Sequence, residues 1–423
     1  MNGSGGVAPV PPAWDVARSD LAVLYASRTA RAFGAGSLAV ALALDLAAAY
    51  GPLDAGVFLA LSMVAASVWA FAAERVERRI GRKRTFVVSA FGLAVGGFLL
   101  FQFVTSPYVV VLALALGGIL ASSSDIGPLP ALEQAALASV VTDSTRTRTF
   151  SLYNFLGYVG NAAGALLAAP LTAAGGAIFG PPRDLVLLLY GLMGLSLIPV
   201  YLQFSTRADR LPQTEARRPL SAASRPKIVT LSGLFSVDAF GGGLVANFLV
   251  TLWLHARYNA SGEAIGLILA LAMLGAAISL LLTPPLAQRF GLVNTMVFTH
   301  MPSSVLLILF AFAPNLGVAG AFWVGRSLIS QMDVPTRQSL IQAIVTPEER
   351  TAAAGYTTAA RSSTALGGPV TGAFLSLGGP WVTAPFVVAG ATKIAYDGAL
   401  YAGFHDTAVP EEVAARKLRR PGV

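Results

Sequence analysis

The chain contains no cysteine among its 423 residues. Disulfide bridges and thiolate metal sites are therefore excluded. Charge is scarce as well: 12% of the residues are charged and 55% are hydrophobic, where a soluble domain carries about 25% charged residues. That imbalance excludes an ordinary soluble domain and points to an all-α integral membrane protein. No phosphate-binding loop, no His-Glu-x-x-His pair and no nucleophile with its base is present, and no acid or histidine cluster has ligand spacing. Neither an enzyme, a metal site, a cofactor nor ATP-driven transport is expected. Met1–Asp20 lacks an apolar core and is expected to be a short cytoplasmic tail, not a cleaved signal peptide. The net charge of +8 resides in short loops between apolar runs. The expected partner is thus the lipid bilayer and not nucleic acid.

What is abundant fits this reading. The 43 glycines and 25 prolines match the richer use of both residues in membrane helices. A span needs about 20 mostly apolar residues. Twelve such stretches are expected: Ser27–Tyr50, Leu53–Ala73, Thr85–Val104, Tyr108–Val140, Phe150–Ala174, Leu185–Phe204, Ile228–His255, Ala264–Ala287, Val293–Ala313, Leu316–Val345, Ala352–Leu377 and Val382–Phe404. The fourth and tenth are long and carry Pro128, Pro130 and Pro335, which predicts kinks. Loops on one side collect Arg75, Arg78, Arg79, Arg82, Lys83 and Arg84, then Arg146 and Arg148, the arginines of 205–227, Arg289, Arg350 and Arg416–Arg420. The other side receives Arg183 and Arg257. The bias places the basic side and both termini in the cytoplasm. The expected organisation is a tail (1–26), a six-helix bundle (27–204), a cytoplasmic linker (205–227), a second six-helix bundle (228–404) and a tail (405–423).

The halves look like repeats. Arg79-Ile80-Gly81 recurs as Arg289-Phe290-Gly291, Asp125 with Gln134-Ala135 as Asp333 with Gln342-Ala343, and Val141-Thr142 with Arg146-Thr147 as Val345-Thr346 with Arg350-Thr351. The order is kept and the spacing nearly so. Parallel repeats of this kind build secondary transporters.

At this point the sequence resembles the major facilitator superfamily. That family's signature after the second span is Gly-x-x-x-Asp-Arg-x-Gly-Arg-Lys/Arg. Here Arg79, Gly81, Arg82 and Lys83 match its second half, while Glu74 and Arg78 replace the Gly and the Asp. Gly367-Gly368-Pro369-Val370-Thr371-Gly372 in the eleventh span is similar to an antiporter Gly-Pro-x-x-Gly pattern that the family carries in its fifth span. The resemblance implies twelve transmembrane helices in two pseudo-symmetric six-helix bundles, a cytoplasmic gate at Arg79, Gly81, Arg82, Arg289 and Gly291, and a cavity lined by spans one, four, seven and ten.

Each of those four spans carries an acid: Asp45, Asp125 with Glu133, Asp238, and Asp333. A charge at mid-membrane costs roughly 2.5–3.5 kcal/mol on insertion scales, so these groups are expected to face other helices or a water-filled site. Arg326, Asp333 and Arg337 share one helical stripe by spacing, which motivates an anionic substrate. Asp333, between two arginines, is expected to remain ionised. Asp125, Glu133 and Asp238 have no partner nearby in sequence and are candidates for reversible protonation. Asp238 precedes Gly241-Gly242-Gly243, which predicts a weakened helix, and Asn247 adds an amide to the span. Lys393 and Asp397 are expected to pair at i,i+4, and His300 to be packed and hydrogen-bonded. Because the counterparts of Arg326 and Arg337 are Gly117 or Gly118 and Leu129, the cationic part of the site is expected in the C-terminal half only.

The expected function is proton-coupled export of a small organic molecule or anion by a monomeric secondary transporter of the plasma membrane. The alternatives are an uptake symporter or facilitator, or a transporter-shaped sensor without flux.

Overall fold

A computed structural model describes residues 13–117, 128–140, 143–180, 184–204, 220–346, 349, 353, 355–357 and 360–405. Among them the regular structure is helical, with no strand. The helices are α1 (Ala13–Ile80), α2 (Arg82–Phe103), α3 (Pro107–Gly117), α4 (Pro128–Val140), α5 (Asp143–Phe179), α6 (Leu185–Leu202), α7 (Arg225–Leu244), α8 (Asn247–Tyr258), α9 (Gly262–Phe290), α10 (Leu292–Ala311), α11 (Leu316–Ser330), α12 (Asp333–Ala343), α13 (Gly367–Leu377) and α14 (Ala384–Phe404).

These pieces resolve into the twelve expected passes. α1 contains two, separated at Gly51 (φ 84°, ψ 168°), which Pro52 follows. α7 with α8, and α11 with α12, are broken single passes, and α3 and α4 belong to the fourth. Among the described residues, seven helical stretches are long and apolar enough to cross a membrane by themselves. Large apolar side chains lie exposed along them, Val64, Phe91, Leu281 and Phe298 among them, as a lipid-facing surface requires. The first helix begins at Ala13, ahead of the expected first span, and Asp20 is buried. Past Pro11-Pro12 the chain has no helix breaker until Gly34, and prolines suit a helix start.

The breaks have local causes. In the tenth pass the helix stops at Ser330 and restarts at Asp333. Proline removes an amide donor and clashes with the carbonyl four residues back, and that residue is Gln331 for Pro335. In the seventh pass the break falls at Val245–Ala246, after the glycine triplet and not within it. The glycines stay helical because of packing: a Cβ at Gly243 would lie 2.0 Å from the Thr364 carbonyl oxygen. The freed Leu244 carbonyl is taken by the Thr371 hydroxyl at 2.8 Å.

The repeat is visible in the backbone. Gly81 (φ 85°, ψ 157°) and Gly291 (φ 91°, ψ 163°) turn the second-to-third and eighth-to-ninth corners alike. The Gly81 amide bonds the Glu77 carbonyl and the Gly291 amide the Ala287 carbonyl, both at 2.9 Å. On the basic side of the C-terminal half, the Glu349 carboxylate accepts the Ser224 hydroxyl and the Ser221 amide, each at 2.6 Å. Those bonds, Ser224 first, hold its pKa down at about 2.

Contacts between the halves run from the middle of the bundle, where the Tyr158 hydroxyl donates to Gln331 Oε1 at 2.9 Å, to the ends remote from the basic loops. A Cβ at Gly56 would meet the Gly368 carbonyl oxygen at 2.4 Å, and one at Gly266 the Ala165 carbonyl oxygen at 2.3 Å. Thr251 donates to the Ala39 carbonyl at 2.8 Å. Gly56→Val is therefore expected to drive the halves apart there. With spin labels on cysteines introduced into this cysteine-free chain, one in each half on the basic side, the distance should shorten; an unchanged distance distribution would contradict the packing argument.

Candidate functional site

The charged groups assemble into two buried clusters, one in each half. In the C-terminal half the centre is Asp238 on α7. Lys393 Nζ on α14 donates to its Oδ1 at 2.6 Å. Arg337 Nη1 on α12 lies 3.5 Å from Oδ2, and His300 Nε2 on α10 is 3.6 Å from Oδ1. Arg337 also pairs with Asp333 at 3.0 Å, one helical turn back, and its guanidinium lies over the Phe235 ring at 5.4 Å. His300 Nδ1 faces Asp397 at 2.9 Å. All six charged or titratable side chains are buried.

This geometry revises the expected pairing. The partners of Asp238 are remote in sequence, on three other helices. Lys393 and Asp397 do not satisfy each other: α14 turns both into the bundle, where Asp238 and His300 offer cross-helix contacts. Arg326 is separated from Asp333 by the break at Gln331–Met332. Its guanidinium lies over Trp323 at 4.7 Å, and its buried Nε has no hydrogen-bond acceptor among the described residues. Arg361, in the 3-10 turn Arg361–Leu366, is exposed and close enough to Arg337 for the two cations to repel. Asn247 is buried at the start of α8, its Nδ2 3.9 Å from Met273 Sδ.

In the N-terminal half Glu133 on α4 is the buried centre. It accepts hydrogen bonds from Ser27 and Arg31 of α1, and from the hydroxyls of Tyr153 and Tyr201 at 2.6 Å each. Arg28 lies over the Tyr153 ring at 4.9 Å. Glu133 therefore has four partners, all remote from it in sequence. The cationic component is not confined to one half either. The overlooked signal is a second repeat: Arg31-Ala32-Phe33-Gly34-x-Gly36 recurs as Asp238-Ala239-Phe240-Gly241-x-Gly243, with the charge inverted. Gly36 and Gly243 pack alike, each with a virtual Cβ 2.0 Å from a carbonyl oxygen, of Asn161 and Thr364 respectively. The pairs Arg31–Glu133 and Asp238–Arg337 thus link first to fourth pass and seventh to tenth with opposite polarity.

The remaining expected residues fall elsewhere. Asp45 lies toward the Gly51 corner, near Asp184, and its Oδ2 has no hydrogen-bond partner among the described residues. Asp125 lies outside the described residues, as do the side chains of Glu74 and Arg78. Of the gate residues, Arg79 and Arg289 are exposed. Arg82 is buried and pairs with Glu77 at 2.5 Å across the Gly81 corner.

A helical, multi-pass membrane protein with paired buried charges in two similar halves has the design of a small-molecule transporter. The comparison with known families agrees. The family model described as Major Facilitator Superfamily matches residues 24–252 and 231–419, and the chain belongs to that family. An uncharacterized membrane protein of Saccharomyces cerevisiae, YJR124C, is 23% identical over 355 residues, 75% of this chain and 78% of the yeast protein. Among solved structures, the nucleoside transporter NupG matches with a TM-score of 0.68 at 14% identity, over 90% of this chain and 98% of that one. The human organic anion transporter MFSD10 (TETRAN) matches at 0.65 and 14% identity, over 92% and 100%. A bacterial homolog of the human lysosomal transporter Spinster, inward-facing and unoccupied, matches at 0.64 and 14% identity, over 96% and 99%. The family points to transport of small molecules across a membrane rather than to an enzyme, and these structures share its fold.

Proposed function

We propose that the chain couples movement of a small organic anion to protons, by rocking of its two halves about the Asp238 cluster. The observation that carries this reading is the row of arginines on the tenth and eleventh passes. Arg326 has a buried Nε unmatched among the described residues, Arg361 is exposed, and Arg337 is held by Asp238 only at 3.5 Å. A cation inside a bilayer needs a counter-charge, and a substrate carboxylate supplies it. MFSD10, whose fold this chain shares, is an organic anion transporter, which supports the same chemistry here. The proposed site comprises Asp238, Arg326, Asp333, Arg337 and Asn247, with Asp45, Asp125 and Glu133 along the proton pathway. Arg79, Gly81, Arg82, Arg289 and Gly291 form the proposed gate on the basic side. That side is taken as cytoplasmic with both termini, in a plasma-membrane monomer.

Export is the direction that the family resemblance implies. Uptake by symport is the second reading, and one observation favours it. Asp238, Asp333 and Asp397 outnumber Arg337 and Lys393 at bonding distance, so a bound proton and a bound anion would lower each other's cost.

The test is a thermal-shift screen of the purified chain with monocarboxylates, dicarboxylates and uncharged nucleosides. A carboxylate at 100 times its Kd should stabilise the chain by about 2.7 kcal/mol. Arg326→Ala should remove that shift while leaving the ligand-free melting temperature nearly unchanged. Stabilisation by uncharged nucleosides alone, unaffected by Arg326→Ala, would refute the anion reading.

A further inference from the structure

We propose that His300 carries the transported proton, held between Asp397 and Asp238. The inference rests on the proton coupling proposed above, in its second, symport reading, and adds the residue that carries the proton.

Both ring nitrogens of His300 face carboxylates. Nδ1 lies 2.9 and 3.1 Å from the two Asp397 oxygens, and Nε2 lies 3.6 Å from Asp238 Oδ1. A neutral imidazole has one N–H and one lone pair. It can serve one of these carboxylates, but it then turns a lone pair toward the other. The imidazolium turns an N–H toward each, in a hydrogen bond to Asp397 and in an ion-pair contact with Asp238 at 3.6 Å. The surrounding charges ask for the same species. α7 contributes Asp238, α12 Asp333 and Arg337, and α14 Lys393, Asp397 and the Tyr396 ring, which meets His300 edge-on at 5.9 Å. α11 carries Arg326, and the 3-10 turn before α13 carries Arg361. α9 has titratable groups only near its ends, Glu263 and Arg289. Three buried carboxylates therefore meet two cations at bonding distance, and the imidazolium is the third.

The proton arrives from hydronium on one side of the membrane, binds the lone-pair nitrogen of His300, and returns to water on the other side. No other bond is made or broken. With His300 neutral, the excess negative charge retains Arg337 and repels an anion. With His300 charged, Asp238 is served by His300 and Lys393, and Arg337, its most distant partner, turns to the substrate anion. Proton and anion then bind together, which is the thermodynamics of symport.

The chain has three histidines, His255, His300 and His405, so 15N-histidine NMR of the full chain in nanodiscs reads His300 directly, with protons as the only probe. His300→Gln assigns the signal. The expected result is a transition from one protonated nitrogen to two between pH 5 and 9. Asp397→Asn should move that transition, because it replaces the carboxylate that faces Nδ1 at 2.9 Å. A His300 that keeps a single protonation state across that range overturns the proposal, and so does a midpoint unmoved by Asp397→Asn. Coupling itself is read separately, as pH-gradient dependence of flux in wild-type liposomes. A gradient-dependent wild type with a non-titrating His300 refutes only this assignment, whereas a gradient-independent wild type refutes the coupling on which it rests.

Discussion

Glu133→Ala should destabilise the protein by about 3–5 kcal/mol, the range found when one partner of a buried ion pair is removed. That is a large share of the ~5–15 kcal/mol by which a typical protein is stable. Glu133 is fully buried, as are Tyr153 and Tyr201, which both donate to it. Alanine leaves their hydroxyls, the Ser27 hydroxyl and the Arg31 guanidinium without their common acceptor, in a place water does not reach. Glu133→Gln should cost less, since one carbonyl oxygen still accepts. The double variant Arg31→Met with Glu133→Leu should recover most of the loss, because replacing both ions by apolar groups is often neutral. Unfolding in SDS or by heat in micelles reads all three. A double variant as unstable as Glu133→Ala would show that burial of an uncompensated charge is not the cause. The same variant also separates two roles for Glu133: flux that keeps its gradient dependence without the carboxylate would exclude Glu133 from the proton pathway.

Asp238→Asn should act on function more than on stability. Asparagine keeps the shape and an acceptor for Lys393, but it removes the charge on which Lys393, Arg337 and His300 converge. Gradient-driven accumulation of the carboxylate found by thermal shift should fall at least tenfold, equivalent to about 1.4 kcal/mol. Exchange of internal for external substrate, which needs no net proton movement, should be less affected. Adding Lys393→Gln should restore the wild-type charge balance and stability without restoring coupling. Accumulation that stays at the wild-type level in Asp238→Asn would remove Asp238 from the mechanism.

The contrast between the clusters follows from their saturation. Glu133 is enclosed by four donors, so its half is pinned from first to fourth pass. In the other half Arg337 is shared between Asp333 at 3.0 Å and Asp238 at 3.5 Å, and His300 between Asp238 and Asp397. Shared partners can be exchanged at small cost, and a transport site needs groups of that kind.

The sequence by itself determined the membrane class, the twelve passes and the family. Those features follow from local properties: apolar length, charge bias in loops, and glycine corners such as Gly81 and Gly291, whose backbone angles admit little else. It also marked the acids of the fourth, seventh and tenth passes, because a charge in an apolar run stands out wherever it points. The partners were decided only by tertiary structure. Lys393 looked matched to Asp397 because i,i+4 neighbours share a helix face. The bundle instead turned that face toward Asp238 and His300, at closer approach than the local pair offered. Arg31 and Arg28 sat at the start of a span, where sequence cannot distinguish a lipid-surface anchor from a buried ion. Helix packing made that distinction: the fourth pass buried Glu133 against the first, and a buried carboxylate must find its donors wherever the fold brings them.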